Sequence, residues 1–495
     1  MRTSGILALP VLLVLVTSLA PGQSYRATEL GTLDGSDSQA YALNDYGQVV
    51  GRSHNLDQLM HAFHWQNGDL LDLNEEYNWG AKTLQLYSGA AFDISNTDYV
   101  VGTTQCTPIS PTDETGEQDI LGGAYMHACI FRPAVMSDLS SPYPGDAVTY
   151  LGTLPGGWRS RATGISRNGL FVVGVSDVDG HGNVHAFLVS PTNGNWASVD
   201  VTCEAPTNPT LIDLGTLQAL DENSSASAVN NVGEAVGWSY NASYGYSAFL
   251  IVPEDIDTDG DLDWFEDDGT GVNNLMTSLG TLGGDNSWAR DINDDGLVVG
   301  ESDTDDWMTH AFVYDGEMHD LGTLGGNDSS AAAINSTGQI VGWSVDATGA
   351  IRAFIYQDGV MTDLNELLPS GFPVRLTHAM DINDNGEIVG WGLVGGVDGA
   401  TDMAFLLTPA TFSVDGGDDG GTIPVVTRTD ADLEPIAAGG TDDADQTDGT
   451  GDGTTDLSRL PVLGPLYFLC GTGFTSLLPL TLAGLCCLKI GWRRR

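Results

Sequence analysis

Apolar residues along this chain fall into short runs, four to a unit, and the unit recurs. The fifth copy shows it most plainly. Trp288 to Ile292 is a first apolar run, Asn293-Asp-Asp-Gly296 turns the chain, and Leu297 to Gly300 follows, rich in the β-branched residues that suit strands. His310 to Tyr314 is the third run, Asp315-Gly316 makes a two-residue hairpin connection, and Met318 to Leu324 is the fourth. Asparagine and aspartate bond their own backbone in turns, and glycine takes positive φ freely, so the turn positions have a physical reason.

The turn can be followed seven times. Its copies are Asn44-Asp-Tyr-Gly47, Ser95-Asn-Thr-Asp98, Ser166-Arg-Asn-Gly169, Asn230-Asn-Val-Gly233, Asn293 to Gly296, Asn335-Ser-Thr-Gly338 and Asn383-Asp-Asn-Gly386. The second copy lacks the turn glycine. Seven units of four strands predict an all-β fold, a seven-bladed β-propeller over residues 23–409 with repeat centres near 44, 95, 166, 230, 293, 335 and 383. A linear solenoid is the rival. The ends of the array favour closure, because it opens with an orphan Leu30-Gly-Thr-Leu33 and ends at Met403 to Leu407 with no fourth strand behind it. Residues 28–33 are therefore expected to pair with residues 403–408 and seal the ring.

The third strands read His61-Ala-Phe63, His127-Ala-Cys129, His185-Ala-Phe187, Ser247-Ala-Phe249, His310-Ala-Phe312, Arg352-Ala-Phe354 and Met403-Ala-Phe405. With the turns, they make roughly residues 28 to 408 resemble the HAF family of bacterial extracellular repeats, named for His-Ala-Phe. The resemblance implies an exported, surface-associated protein and brings no established catalytic activity. Copies two, four, six and seven depart from the triplet.

Charge narrows the partners. The chain has 67 acidic residues against 17 basic ones, formally -50 at pH 7. Such a field repels phosphate backbones, so nucleic acid is excluded as a partner. Residues 1–22 read as a signal peptide: Arg2, the apolar stretch Ile6 to Leu19, then the small residues of Ser18-Leu-Ala20. Cys106 and Cys129 bracket a long insertion. They read either as a disulfide or, at Cys129, as a small buried residue in a phenylalanine position.

The sharpest candidate site is Asp255-Ile-Asp-Thr-Asp-Gly-Asp-Leu-Asp-Trp-Phe-Glu266. Calcium takes six to eight oxygens. Carboxylates stand at loop positions 1, 3, 5, 9 and 12 (Asp255, Asp257, Asp259, Asp263 and Glu266), Gly260 occupies the sharp-turn position, and Asp261 offers its carbonyl. Pro253 leaves no entering helix, so a structural Ca2+ holding the insertion 252–276 is expected rather than a paired sensor hand. The repeated histidines sit on different blades and should not share a metal. Trp238, Trp343 and Trp391 recur after the Val-Gly strand, where they either pack between blades or offer aromatic faces to sugars; packing is the commoner use.

The chain has no nucleophile elbow, phosphate-cradling loop or zinc helix motif. Residues 410–459 form an acidic Asp/Gly/Thr-rich linker expected to stay disordered. Residues 460–495 carry an apolar stretch, Leu460 to Leu488, long enough to span ~30 Å of bilayer. It ends in Lys489 and Arg493-Arg-Arg495, so it reads as a transmembrane anchor or C-terminal sorting signal. The expectation is an extracellular cell-surface binding or adhesion protein, non-catalytic, for glycans or surface and matrix proteins. A glycan hydrolase or lyase, and a structural envelope component, are the alternatives.

Overall fold

Seven four-stranded antiparallel sheets form from the seven units and close into a propeller. The computed structural model describes residues 25–410 except 75–76, 80–81, 85, 107–124, 134–147, 179–182, 193, 198–206, 219–222, 242–244, 259, 267–271 and 396–399. The leader, the acidic linker beyond residue 410 and the apolar segment 460–495 lie outside the described residues. Among the described residues no helix is long and apolar enough to cross a membrane.

The inner strands of blades 1 to 7 are Asp34–Leu43, Leu86–Ile94, Ser160–Ile165, Ser224–Val229, Gly283–Ile292, Gly325–Ile334 and Arg375–Ile382. Blade 5 then runs outward through Val298–Thr304, Thr309–Tyr314 and Met318–Asp320. Blade 7 takes its outer strand from the other end of the array: Tyr25–Glu29 pairs with Thr401–Pro409, from Tyr25 opposite Pro409 to Glu29 opposite Phe405. The ring closes with the partner expected.

The closing strand lies a few residues earlier than residues 28–33, and the reason recurs in other blades. Leu-Gly-Thr-Leu is a connector in most blades, although in blade 2 the outer strand Val148–Gly152 runs into it. In blade 5 the outer strand stops at Asp320, whose Oδ1 accepts from Gly322 N at 2.7 Å while Gly322 takes a φ of 72°. Thr323 Oγ1 then donates to Gly326 O at 2.9 Å as the chain enters the next blade. The apolar leucines of that segment are buried or half-buried without belonging to a sheet.

Period-two alternation explains the core. Val298 and Phe312 face the layer between blades 4 and 5, while Val299 and Ala311 face the layer between blades 5 and 6. Each interface sets the alanine of one blade against the phenylalanine of the next: Ala248 with Phe312, Ala311 with Phe354, Ala353 with Phe405, Ala404 with Phe63. Large against small keeps every layer filled. Between blades 1 and 2, Cys129 takes the phenylalanine position against Ala62, buried and unbridged. Cys129 stands opposite Gly102 and Cys106 opposite Tyr125. Four residues along a strand is about 13 Å, well beyond the roughly 7 Å that a disulfide tolerates between Cα atoms.

The turn asparagine ties the blades together. Asn293 Oδ1 accepts from Asp295 N at 3.1 Å and Leu297 N at 3.0 Å, closing its own turn. Its Nδ2 donates to Asn335 O in the next blade at 3.1 Å. The relay continues from Asn335 to Asn383 O (3.1 Å), from Asn383 to Asn44 O (3.0 Å), from Asn44 to Ser95 O (3.1 Å) and from Asn230 to Asn293 O (3.2 Å). Blades 2 and 3 carry serine, which has no amide to donate. There the links are Asn96 N to Arg167 O at 2.8 Å, and Asn168 N to Asn231 Oδ1 at 2.7 Å. All seven junctions are bonded.

Replacing Asn335 (2 % exposed) by alanine is expected to destabilise the propeller by about 2 kcal/mol, since it orphans the buried Asn383 carbonyl and two part-buried backbone donors. Asn168→Ala keeps the backbone N that bonds Asn231 and removes only one bond between the blades, from Asn168 Nδ2 to Asn231 O, so it should cost less. Urea unfolding of the two variants measures the difference.

Candidate functional site: the axial cavity

One irregularity repeats in every blade and builds the axis of the ring. Pairing between the inner and second strands skips one inner-strand residue: Tyr41, Phe92, Thr163, Ser227, Arg290, Ala332 and Met380. A β-bulge leaves its extra residue out of the ladder and re-aims it. All seven line a cavity of about 1200 Å³. The bulge also explains the glycine after Val-Val. A Cβ on Gly300 would lie 2.0 Å from Trp288 O, and one on Gly390 2.0 Å from His378 O. Only glycine lets the bulged backbone come that close.

The cavity wall is asymmetric. Trp343 of blade 6 lies 6.1 Å from His378 of blade 7, which stacks on Trp391 at 4.7 Å and 18°. Trp391 meets Tyr41 of blade 1 edge-on at 5.8 Å, and Tyr41 stacks on Phe92 of blade 2 at 5.7 Å. Arg52 sits over Tyr41 at 5.6 Å and Arg161 over Phe92 at 5.4 Å. The facing blades present Thr163, Ser225, Ser227 and Trp238. Packing between blades was the expected use of the tryptophans. Trp343 and Trp391 do bridge blades, Trp238 meets Tyr246 of its own blade, and all three stay half-buried against the cavity.

At the turn end, three carboxylates converge: Asp93, Asp291 and Asp381. Each spends both oxygens on backbone donors, one its own neighbour's and one the next blade's. Asp93 accepts from Ile94 N (2.7 Å) and Ile165 N (2.8 Å), Asp291 from Ile292 N (2.8 Å) and Ile334 N (2.9 Å), Asp381 from Ile382 N and Leu43 N (both 2.8 Å). Arg167, on the blade 3 turn, reaches past blade 2 to donate to Leu43 O at 2.6 Å, Ile382 O at 3.3 Å and Asp381 Oδ1 at 3.4 Å. Burial, then the charge of Asp381, pushes Asp93 and Asp291 up to about 7. Burial also raises Asp381, with Arg167 opposing it. Burial works against the charge of Arg167, but Asp381 and then Asp93 hold it more firmly protonated than a free guanidinium.

Sequence reasoning missed this end. Two signals were available: an aspartate two residues before the turn occurs only in units 2, 5 and 7, and Arg167 is a rare base in an acidic chain.

The repeated histidines each clasp an aspartate on the outer strand of their own blade: His61 to Asp72 at 2.7 Å, His185 to Asp213 at 2.9 Å, His310 to Asp320 at 2.8 Å. They are strand fasteners on separate blades, as the repeat implied. In blade 2, Tyr150 holds the aspartate position, pairing opposite Cys129, and the buried ring nitrogens of His127 have no hydrogen-bond partner. Burial pushes that imidazole down.

The acidic loop of blade 4 is a surface hairpin. Glu254 and Asp263 exchange backbone bonds of 3.1 and 2.8 Å, and Asp263 Oδ2 accepts from Ile256 N at 3.0 Å. Gly260 takes a φ of 97°, as the sharp-turn position demands. Asp255, Asp257, Asp261 and Glu266 are exposed, Asp263 is half-buried, and Asp259 lies outside the described residues. Among the described residues no three metal-binding side chains are gathered. Trp264 roots the loop, donating to Gly233 O at 2.8 Å and packing on Phe171 at 5.7 Å.

A ring of seven four-stranded blades around an axial cavity defines the class, a seven-bladed β-propeller. The chain belongs to the family described as a protein of unknown function, DUF3466, which matches residues 157–456. No curated protein matches it. Among solved structures it is similar to a Mycobacterium tuberculosis puromycin-hydrolyzing peptidase (15% identity, 78% of this chain and 53% of that one, TM-score 0.41). A prolyl endopeptidase (10%, 77% and 56%, 0.37) and a Trypanosoma rangeli sialidase (9%, 79% and 60%, 0.29) are also similar. The chain spans about half the length of the first two.

The carboxylate ring makes stability depend on pH. From the ordinary value of 3.8 up to about 7, folded Asp93 and Asp291 keep protons that the unfolded chain has lost. The folded state binds more protons there, so stability falls as pH rises through that window and levels above it. Thermal melting between pH 5 and 8 should show this slope, and Asp291→Asn should flatten it.

Proposed function

We propose that this is an exported, non-catalytic binding protein of the cell surface, and that its propeller holds a glycan in the axial cavity. The observation that carries the reading is the aromatic wall from Trp343 through His378, Trp391 and Tyr41 to Phe92. Flat apolar faces suit the C–H faces of sugar rings, and the small hydroxyls opposite, Thr163, Ser225 and Ser227, suit sugar hydroxyls. The leader, the resemblance to HAF repeats, and the acidic linker with its apolar, arginine-ended segment support display outside the cell and attachment to the membrane. Surface or matrix proteins bearing such glycans are the natural partners.

Calcium belongs to this reading as a structural ion. Asp255, Asp257, Asp259, Asp263 and Glu266 would supply carboxylates and Asp261 its carbonyl, stiffening a loop already rooted by Trp264. A glycan hydrolase or lyase is the second reading, favoured by the carboxyls of Asp93 and Asp291 standing near 7 at the cavity end. Their oxygens are all engaged by backbone N–H groups, which favours the architectural role.

Glycan-array binding and calorimetry on the propeller, residues 24–410, test the proposal. Trp391→Ala is expected to weaken binding about tenfold, the scale of one lost aromatic stack. Array-wide silence of a folded protein would leave a structural envelope role. Steady product release that Asp291→Asn abolishes would favour the enzyme. Calcium titration should raise the melting temperature, and Glu266→Gln should reduce that rise.

A further inference from the structure

We infer that the glycan is acidic, and that Arg161 receives its carboxylate. The inference rests on the glycan reading above. Beyond the carboxylate ring, three guanidiniums face the cavity: Arg159, Arg161 and Arg290. Two are matched, Arg159 by Asp177 at 3.3 Å and Arg290 by Glu301. Arg161 is different. It stands opposite Val175 in the strand register, it is exposed, and among the described residues no ion pair engages it. Among the described residues its guanidinium lies over the ring of Phe92 at 5.4 Å.

That contact places the guanidinium at the cavity wall. A guanidinium's planar fork of N–H donors can take a carboxylate through two parallel bonds. The position matters as much as the charge. Phe92 ends the aromatic wall and Arg161 lies over it, so the guanidinium stands at one end of the surface a sugar would occupy.

Other ligand charges fit less well. A cation would need free aromatic faces, but Tyr41 already carries Arg52 and Phe92 already carries Arg161. A neutral sugar offers Arg161 only hydroxyl acceptors, which bond a guanidinium more weakly than a carboxylate does. The chain's formal charge of -50 repels an anion at long range. Recognition is therefore local, from a pair formed in direct contact at the cavity wall.

The test uses matched ligands. Oligogalacturonate, alginate and hyaluronan oligosaccharides, each with its carboxyl-reduced counterpart, are titrated into wild-type protein and Arg161→Gln at constant salt, with melting temperature as the folding control. The expected result is preference for the acidic form by about tenfold or more, the scale of a charged hydrogen-bonded pair, with that preference lost in the variant. Equal binding of acidic and reduced forms overturns the inference and leaves the glycan reading standing. Preference for the acid that survives in a folded Arg161→Gln overturns the role of Arg161. Binding of neither form by folded protein removes the glycan reading, and this inference with it. The matched-ligand comparison on wild type needs no variant, so misfolding of Arg161→Gln cannot hide the outcome.

Discussion

The amide of the turn asparagine does two jobs at once: its oxygen closes the turn within one blade and its nitrogen binds the carbonyl of the next. Everything else about the ring depends on that coupling. Apolar layers between blades supply most of the burial, but apolar contact is non-directional and would tolerate sliding. A buried amide whose oxygen and nitrogen both hold fixed hydrogen-bond partners does not. Where serine interrupts the relay at Ser95 and Ser166, backbone and neighbouring side chains take over, and Arg167 crosses to blades 1 and 7. Arg167, which Asp381 and Asp93 hold protonated, thus ties the blade 3 turn to blades 1 and 7.

A second constraint follows from curvature. Seven inner strands must converge on one axis, and each meets that demand with a bulge at the same place. The bulge requires glycine on the strand beside it, which explains Gly300 and Gly390. It also releases one side chain per blade from the ladder. Because the scaffold no longer needs these positions, they are free to differ. Tyr41 and Phe92 stand on one side of the axis and Thr163 and Ser227 on the other, and from that difference the cavity gets its chemistry.

Much of the fold was legible in the residues, and the site largely was not. Strand order within blade 5 followed from its apolar runs and Asp315-Gly316, and closure of the ring followed from the mismatched ends of the array. The Leu-Gly-Thr-Leu segment misled, because leucines buried in a connector carry the same apolar signal as leucines in a strand; Gly322 was the clue to the turn. The carboxylates of Asp93, Asp291 and Asp381 read as turn chemistry, since nothing local says that three residues nearly 300 positions apart in sequence will share one axis. The acidic loop from Asp255 to Glu266 was legible as a pattern, and its root at Trp264 was not.

Local physics is what the amino-acid order determined alone: turns from asparagine and glycine, strands from alternating apolar residues, and sevenfold repetition that a ring can use. It also set the alanine and phenylalanine that fill each layer, because strand periodicity alone sends adjacent residues to opposite faces. Tertiary structure decided what meets across the axis. Trp343, Trp391, Tyr41 and Phe92 become one wall only when blades 6, 7, 1 and 2 stand side by side, which needs the N-terminal strand seated on the last blade. Charge behaves the same way: Arg161 is one base among many acids along the chain, and it becomes an unmatched cation facing a cavity because folding carries its possible partners elsewhere.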